Sequence, residues 1–385
     1  MYRNIRLNYG FSFFQFIGLT SLWVLYLTQK GFSAVEIGVM EAVFHLTSFC
    51  FEIPSGSWAD RFGYRRTLIV SRLLNSVSCL LIVMNQAMWL VTIGFVFSAL
   101  SYNLASGTNE ALVFDSLKKV NQEGKYLAIW TTTSMIMEVA SSFGMVLAGL
   151  FSQFFFDGVY WLQLAMNGCA IGLAWWMIDP KPRLNEPIQL TPFIRQALAE
   201  VRLVPQLVRL MGYFAFVDAL NATYFFYFQA YFKTWHLQGI GLSSLLVVSS
   251  LVQIISVKLA PQLRKRYALS KIFLLDVVLT ALAIFGSGVL PVVGVIVCFL
   301  LANALSAMMY PIQSDFINQA IGSQQRATIN SLNSLLFSMV MIPVFPMVGW
   351  LIDHWHYAIA YRLMGGVVIL VGGYLAFNLD QKEVI

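Results

Sequence analysis

Charge is what this chain has least of. Asp, Glu, Lys and Arg make up 11% of its 385 residues, while 58% are hydrophobic. A soluble domain of that length needs far more charge to cover its surface. Cysteine is sparser still: Cys50, Cys79, Cys169 and Cys298 each lie inside an apolar stretch. That placement excludes a disulfide framework or metal-ligand spacing and leaves them as small packing residues. Histidine occurs at positions 45, 236, 354 and 356 only, and His354 and His356 in "DHWHY" are not read as a metal site. No glycine-rich loop ends in Gly-Lys-Ser/Thr, so the phosphate-binding signature of an ATPase is missing, and no other enzyme motif takes its place. No cofactor is expected.

What is abundant is apolar sequence in runs of about 20 residues, each long enough to cross roughly 30 Å of hydrocarbon. The runs are continuous, not alternating, which excludes an outer-membrane barrel. An all-α polytopic membrane protein follows. Twelve spans are expected, at about 8–29, 35–55, 67–86, 88–112, 127–152, 159–178, 209–231, 241–261, 271–289, 291–312, 328–351 and 357–378. "MYRNIRLNYG" leads into the first without a small-residue cleavage site, so that helix is expected to stay as an anchor. The net charge of +6 reflects Lys and Arg gathered in cytoplasmic loops and gives no ground for a nucleic-acid partner. With the N-terminus inside, the outer loops hold only Lys30 and Lys233. Both termini are therefore expected in the cytoplasm, with the lipid bilayer of the cell membrane around the spans.

The longest polar break divides the spans six and six. Residues 1–178 form the expected first bundle, 179–208 a cytoplasmic linker and 209–385 the second bundle. Arg195, Arg202 and Arg209 are seven residues apart, as on an interfacial helix or a solvated linker. The halves echo each other. "FDSLKKVNQEGKY" after span four resembles "SDFINQAIGSQQRA" after span ten, and both Asp115 with Asp315 and Gly149 with Gly349 stand 200 residues apart. Duplication of a six-span half accounts for this.

The densest charge lies in "GSWADRFGYRR", Gly56 to Arg66, between spans two and three. Pro54 and Gly56 let the helix end bend and approach a neighbour closely, and Gly63 permits a tight reversal. Asp60, at the membrane edge, needs an arginine or a helix N-terminus. The stretch resembles the G-x-x-x-D-R-x-G-R-R signature of the major facilitator superfamily, in the place where that family carries it, and departs only at Tyr64. Twelve spans, a central loop and a faded second copy, "APQLRKRYALSK", extend the resemblance over the whole chain. It implies two pseudo-symmetric six-helix bundles. It also implies a conformational latch, comprising Gly56, Asp60, Arg61, Gly63, Arg65 and Arg66, that engages an acid at the inner end of span four and the start of span eleven, with Asp115 as that acid and Arg61 and Arg65 as the bases. The latch would hold the outward-facing state. "SGTNEALVFDSLK" with "FEIPSG" is similar to a bacterial branch of drug exporters.

The same resemblance implies a central cavity lined by spans one, four, seven and ten. Polar residues there are few: Gln15, Asn103, Asn109, Asn221, Asn303 and Gln313. Tyr224 and Tyr227 in "YFFYFQAYF" are candidates to stack on substrate, beside the alternative of an interfacial aromatic belt. Ionisable groups deep in a span are expensive and are functional candidates by default. Asp218 and Glu138 lie deep in spans seven and five, Glu52 and Glu110 could face the inner half of the cavity, and Glu41 and His45 stand four apart on span two. Asp276 is expected to be too peripheral to bind substrate. Proton antiporters of the superfamily usually carry an arginine on span four, but "NLASG" supplies Asn103 before Gly107. Their span-five glycine-proline motif is represented by Gly144 and Gly149 without proline. Proton coupling would then rest on carboxylates alone. The resulting expectation is a monomeric secondary transporter that exports an amphipathic small molecule, a cation included, in exchange for protons. Uptake or facilitated diffusion of a metabolite is the alternative within transport. A non-transporting membrane sensor is the alternative from another class.

Overall fold

A backbone in hydrocarbon must satisfy its own N–H and C=O groups, and the apolar runs do this as helices. A computed structural model describes residues 2–180, 205–235, 237, 239–320 and 326–377. Arg195 and Arg202 of the expected basic stripe lie outside the described residues, as does the side chain of Asp315. No strand occurs among the described residues.

The first half comprises α1 (Tyr2–Phe16), α2 (Trp23–Gln29), α3 (Ala34–Phe62), α4 (Tyr64–Met84), α5 (Met88–Ala105), α6 (Thr108–Lys118), α7 (Tyr126–Phe154) and α8 (Asp157–Trp175). The second comprises α9 (Pro205–Lys233), α10 (Ile240–Arg266), α11 (Leu269–Ser287), α12 (Val292–Ala320), α13 (Arg326–Val367) and α14 (Gly373–Phe377). Nine helical stretches among the described residues are long and apolar enough to cross a membrane. Within α13, His356 is non-helical at φ 64°, ψ 163°, between expected spans eleven and twelve, while α8 and α9 occupy expected spans six and seven. The set is consistent with twelve crossings. Three expected spans depart from continuous α-helix: the first at a 3-10 turn, Gly18–Leu22, the fourth at Ser106 and Gly107 between α5 and α6, and the twelfth at a π-helical turn, Val368–Gly372, between α13 and α14.

The chain divides into two compact units. The described residues within Met1–Tyr26, Val43–Leu190 and Gln238–Ser243 form one, and those within Leu27–Ala42, Thr191–Leu237 and Ser244–Ile385 the other. In the first, α4 packs on α5 and α8, and α1 on α7 and α8. Phe11, Tyr64, Leu68, Leu112, Ala170 and Met177 form a buried cluster there. In the second, α9 packs on α13, and α11 on both α12 and α13. Its aromatic centre includes Phe228 stacked on Phe299 at 4.1 Å between ring centroids.

Lipid tails are as apolar as leucine, so close packing has to supply the cohesion that water exclusion supplies in soluble cores. Gly144, Gly288 and Gly349 bring backbones closest, each with a main-chain atom 2.3 Å from where a β-carbon would stand, and Gly149 makes room for a side chain. A β-carbon at Gly149 on α7 would fall on Ser243 Oγ at the start of α10. One at Gly349 on α13 would fall on the Ala34 carbonyl oxygen at the start of α3. These glycines stand on spans five and eleven, and their neighbours open spans eight and two, so the 200-residue echo is also an echo of contacts.

The start of α3 is further secured inside the second unit. Ala34 N–H and Val35 N–H donate to Asp353 Oδ1 and Oδ2 at 2.9 and 2.8 Å. Ser33 and Glu36 add a capping box: Ser33 N–H donates to Glu36 Oε2 at 2.9 Å and Glu36 N–H to Ser33 Oγ at 3.3 Å. Two carboxylates thus meet the positive end of the helix dipole and its orphan N–H groups. Tyr227 OH donates to the Ala34 carbonyl at 2.8 Å.

Thermal melting in detergent should separate the two glycines. Gly349→Ala meets an immovable backbone carbonyl and is expected to cost about 1–3 kcal/mol. Gly149→Ala meets a hydroxyl that can rotate, the Ser243 β-carbon at 2.7 Å and a backbone oxygen only at 3.0 Å, against 2.3 Å at Gly349, and should cost less. Gly168→Ala, with nothing within 4 Å, should leave the melting point unchanged or raise it.

Candidate functional site

The charged turn is built on one glycine. Gly63, at φ 87° and ψ 151°, is the single non-helical residue between α3 and α4. Positive φ is inexpensive only without a β-carbon, and a β-carbon here would also lie 2.6 Å from Asp179 Oδ2. Asp179 Oδ1 accepts the Arg65 N–H at 2.9 Å, an anion at the N-terminus of α4. Asp115 is buried and accepts the Tyr64 hydroxyl at 2.7 Å. Tyr64, the residue that departs from the signature, therefore reaches the acid. The guanidinium of Arg61 lies 5.4 Å from the Phe62 ring centroid and that of Arg65 5.0 Å from Trp175. Asp60 and Arg66 make no ion pair among the described residues. In this arrangement Tyr64 and Asp179 tie the turn, whereas the expected arginine partners of Asp115 rest on aromatic rings, where a cation keeps more of its water.

Beside the α5–α6 break the first unit encloses a cavity of about 410 Å³. Of the residues expected at a substrate site, Gln15, Asn109 and Glu110 line it. Glu110 Oε1 accepts the Tyr126 hydroxyl at 2.6 Å. Asn109 Nδ2 donates to Ser12 Oγ at 3.1 Å. The buried Asn109 Oδ1 and Gln15 Oε1 have no protein partner. Phe16, Phe44, Tyr102 and Trp130 supply aromatic wall.

Sequence reasoning missed Arg72 of α4, which also lines this cavity. It is 4% exposed. Its Nη2 donates to Ser71 Oγ at 2.9 Å and Ser101 Oγ at 3.0 Å, and its Nε to Ser71 Oγ at 3.3 Å. The signal was legible in "VSRLLN", an arginine within an apolar run. Attention to spans one, four, seven and ten passed over it because it stands on span three.

The remaining candidates are dispersed. Asn103 joins α5 to α3, donating to the Ser48 carbonyl at 2.9 Å and accepting the Ser48 hydroxyl at 2.8 Å, and it does not line the cavity. Glu52 is half-buried, Glu138 is exposed, and Glu41 and His45 are both buried. In the second unit, Asn303 Nδ2 donates to the Phe299 carbonyl at 2.8 Å and Gln313 Nε2 to Asn333 Oδ1 at 3.4 Å. Asn221 is buried, with Oδ1 unpartnered. Asp218 is half-buried and within electrostatic range of Asp276. Asp276, expected at the periphery, is buried and accepts the Tyr213 hydroxyl at 2.7 Å. Tyr224 and Tyr227, expected at the substrate cavity, are fully buried and do not line the cavity of the first unit. Tyr224 OH meets Ser287 Oγ at 2.7 Å, and Tyr227 OH donates to backbone carbonyls. No group of three or more His, Cys, Asp or Glu residues suited to a metal ion occurs among the described residues.

Apolar helices in two units, with a polar cavity inside one of them, define a membrane transporter fold. Residues 7–339 match the Major Facilitator Superfamily, and the chain belongs to that family, whose members are transporters, not enzymes. Over 89 residues it is 30% identical to the uncharacterized MFS-type transporter YxaM of Bacillus subtilis (strain 168), 23% of this chain and 22% of that one. Over 215 residues it is 21% identical to the multidrug resistance protein MdtH of Yersinia pestis (strain Pestoides F), 56% of this chain and 51% of that one. The alignments thus span about a fifth and about half of these relatives. Among solved structures, the nucleoside transporter NupG superposes with a TM-score of 0.74 at 11% identity, covering 98% of both chains. A D-xylose-proton symporter superposes at 0.68 and 13% identity, covering 100% of this chain and 97% of that one. At such identities the likeness is one of fold.

Tyr64→Phe should leave the Asp115 carboxylate short of a buried donor and lower stability by about 1–3 kcal/mol. Tyr126→Phe, which removes the exposed bond to Glu110, should lower it by well under half as much. Paired melting curves of the two variants in one detergent decide this, and equal losses would show that burial does not set the strength of the Tyr64 bond.

Proposed function

We propose that this chain is a proton-coupled secondary transporter that exports amphipathic small molecules by alternating access. The observation that carries the reading is the cavity in the first unit, where aromatic walls meet unpartnered amide oxygens and one carboxylate, Glu110. Such a mixture suits a ligand with an apolar body and a polar group. Glu110 provides a proton site on the cavity wall, and Asp218 beside Asp276 provides another in the second unit. Export is favoured by the relative named as a multidrug resistance protein and by "SGTNEALVFDSLK". The excess of Lys and Arg in alternate loops supports cytoplasmic termini in a cell-membrane setting. Rocking of two duplicated halves would supply alternating access, with the turn at Asp60, Gly63, Tyr64 and Asp115 as its latch. A monomer suffices for this scheme.

In inside-out vesicles energised by respiration, uptake of an amphipathic dye should collapse when a protonophore is added. Glu110→Gln or Asp218→Asn is expected to reduce pH-driven flux at least tenfold while energy-independent dye exchange persists. Transport that survives the protonophore would remove protons from the scheme.

A further inference from the structure

Arginine inside an apolar membrane span is costly unless something compensates its charge. Arg72 is such a residue. Its neighbours Ser71 and Ser101 accept three hydrogen bonds from Nε and Nη2, but serine oxygens carry no charge. No carboxylate forms an ion pair with Arg72 among the described residues. Nη1 makes no hydrogen bond there, although a guanidinium presents five N–H donors in a planar fork suited to bidentate anions. Glu110, the one acid lining the cavity, accepts from Tyr126 instead. The protein therefore holds a fixed positive charge on a cavity wall, oriented by two serines, with its counter-charge unfilled.

We propose that Arg72 is the anion-recognition residue of this cavity, and that the substrate is a small organic anion whose carboxylate or sulfonate docks on the guanidinium while its apolar body lies against the aromatic wall. This deepens the transport reading and rests on it for the word substrate, although binding itself requires neither a gradient nor proton coupling. It differs from the sequence-based expectation that cations are accepted, because the Arg72 guanidinium has no ion-pair partner among the described residues, whereas Glu110, the one acid on the wall, is held by the Tyr126 hydroxyl. The serines have a positioning role: Ser71 Oγ also donates to the Ser101 carbonyl at 3.0 Å, which joins α4 to α5 behind the guanidinium.

The test is equilibrium dialysis of the full chain in lipid nanodiscs, with no ion gradient, against four probes on one ring system. These are 1-naphthoate, 1-naphthalenesulfonate, 1-naphthamide and 1-naphthylmethylammonium, with empty nanodiscs subtracted. The two anions should be retained at least tenfold more strongly than the amide and the ammonium. Arg72→Gln should bring the anions down to the level of the amide, and Arg72→Lys should restore part of the difference. If Arg72→Gln does not fold, the rank order in the unsubstituted protein and in Arg72→Lys still decides. Equal retention of all four probes, preference for the ammonium, or anion binding unchanged by Arg72→Gln would overturn the proposal. Because no flux is measured, anion binding can stand while protonophore-resistant transport defeats proton coupling, and the reverse can also occur.

Discussion

Backbone-to-backbone approach without a side chain between is the interaction on which this protein depends. In a bilayer, helices gain nothing from excluding water from one another, so cohesion has to come from contact distance. Gly144 brings α7 against the Gly18 backbone and Gly349 brings α13 against the Ala34 carbonyl at the start of α3, while Gly149 accommodates the Ser243 side chain of α10. Each contact is reinforced differently. Around Gly349, the caps from Asp353 and Glu36 and the Tyr227 hydroxyl turn a close approach into a polar junction. The second unit consequently takes in residues 27–42 from the first half of the chain, and the first takes in residues 238–243 from the second. Compact units and sequence halves do not coincide, because the ends of two helices are held by contacts made outside their own half.

Polar groups inside the apolar helices fall into two kinds. Most are matched by a near neighbour: Asn103 by Ser48, Tyr213 by Asp276, Tyr224 by Ser287. Such bonds tie helices together, and they remove a group from any role with a ligand. A few lack a full set of partners, and three of these, Gln15, Asn109 and Arg72, line one cavity. Unmet hydrogen-bonding capacity is expensive in hydrocarbon, so where it opens onto a cavity it marks a candidate site, in contrast to Asn8 or Asn221, which do not line this one. Polarity alone does not distinguish the two kinds, which is why a list of polar residues on favoured spans mixed binding candidates with packing residues.

The turn after α3 shows how one position can carry an unexpected load. The signature pattern drew attention to its arginines and to Asp60, and Tyr64 stood out only as a departure. In the folded protein Tyr64 reaches a buried carboxylate, and Asp179, which no motif contains, occupies the space that a β-carbon at Gly63 would need. Acidic side chains from the end of α6 and from the segment that follows α8 thus converge on a reversal that only glycine can make cheaply.

Composition and run length alone were enough to determine a helical membrane protein with about a dozen apolar segments, because hydrocarbon permits few other solutions. The turn motif and the 200-residue echo were enough to name the family and to select Asp115, Gly149 and Gly349, since local backbone demands are written in local residues. Which polar side chains find each other was beyond the sequence. The partners lie far apart along the chain, as Arg72 and Ser101 do on neighbouring helices, or Asp353 and Ala34 across 319 positions. Only the tertiary structure decided that Tyr227 packs, that Arg72 is left with capacity to spare, and that the cavity forms beside the break between α5 and α6. Those outcomes depend on helix rotation and proximity, and a linear pattern specifies neither.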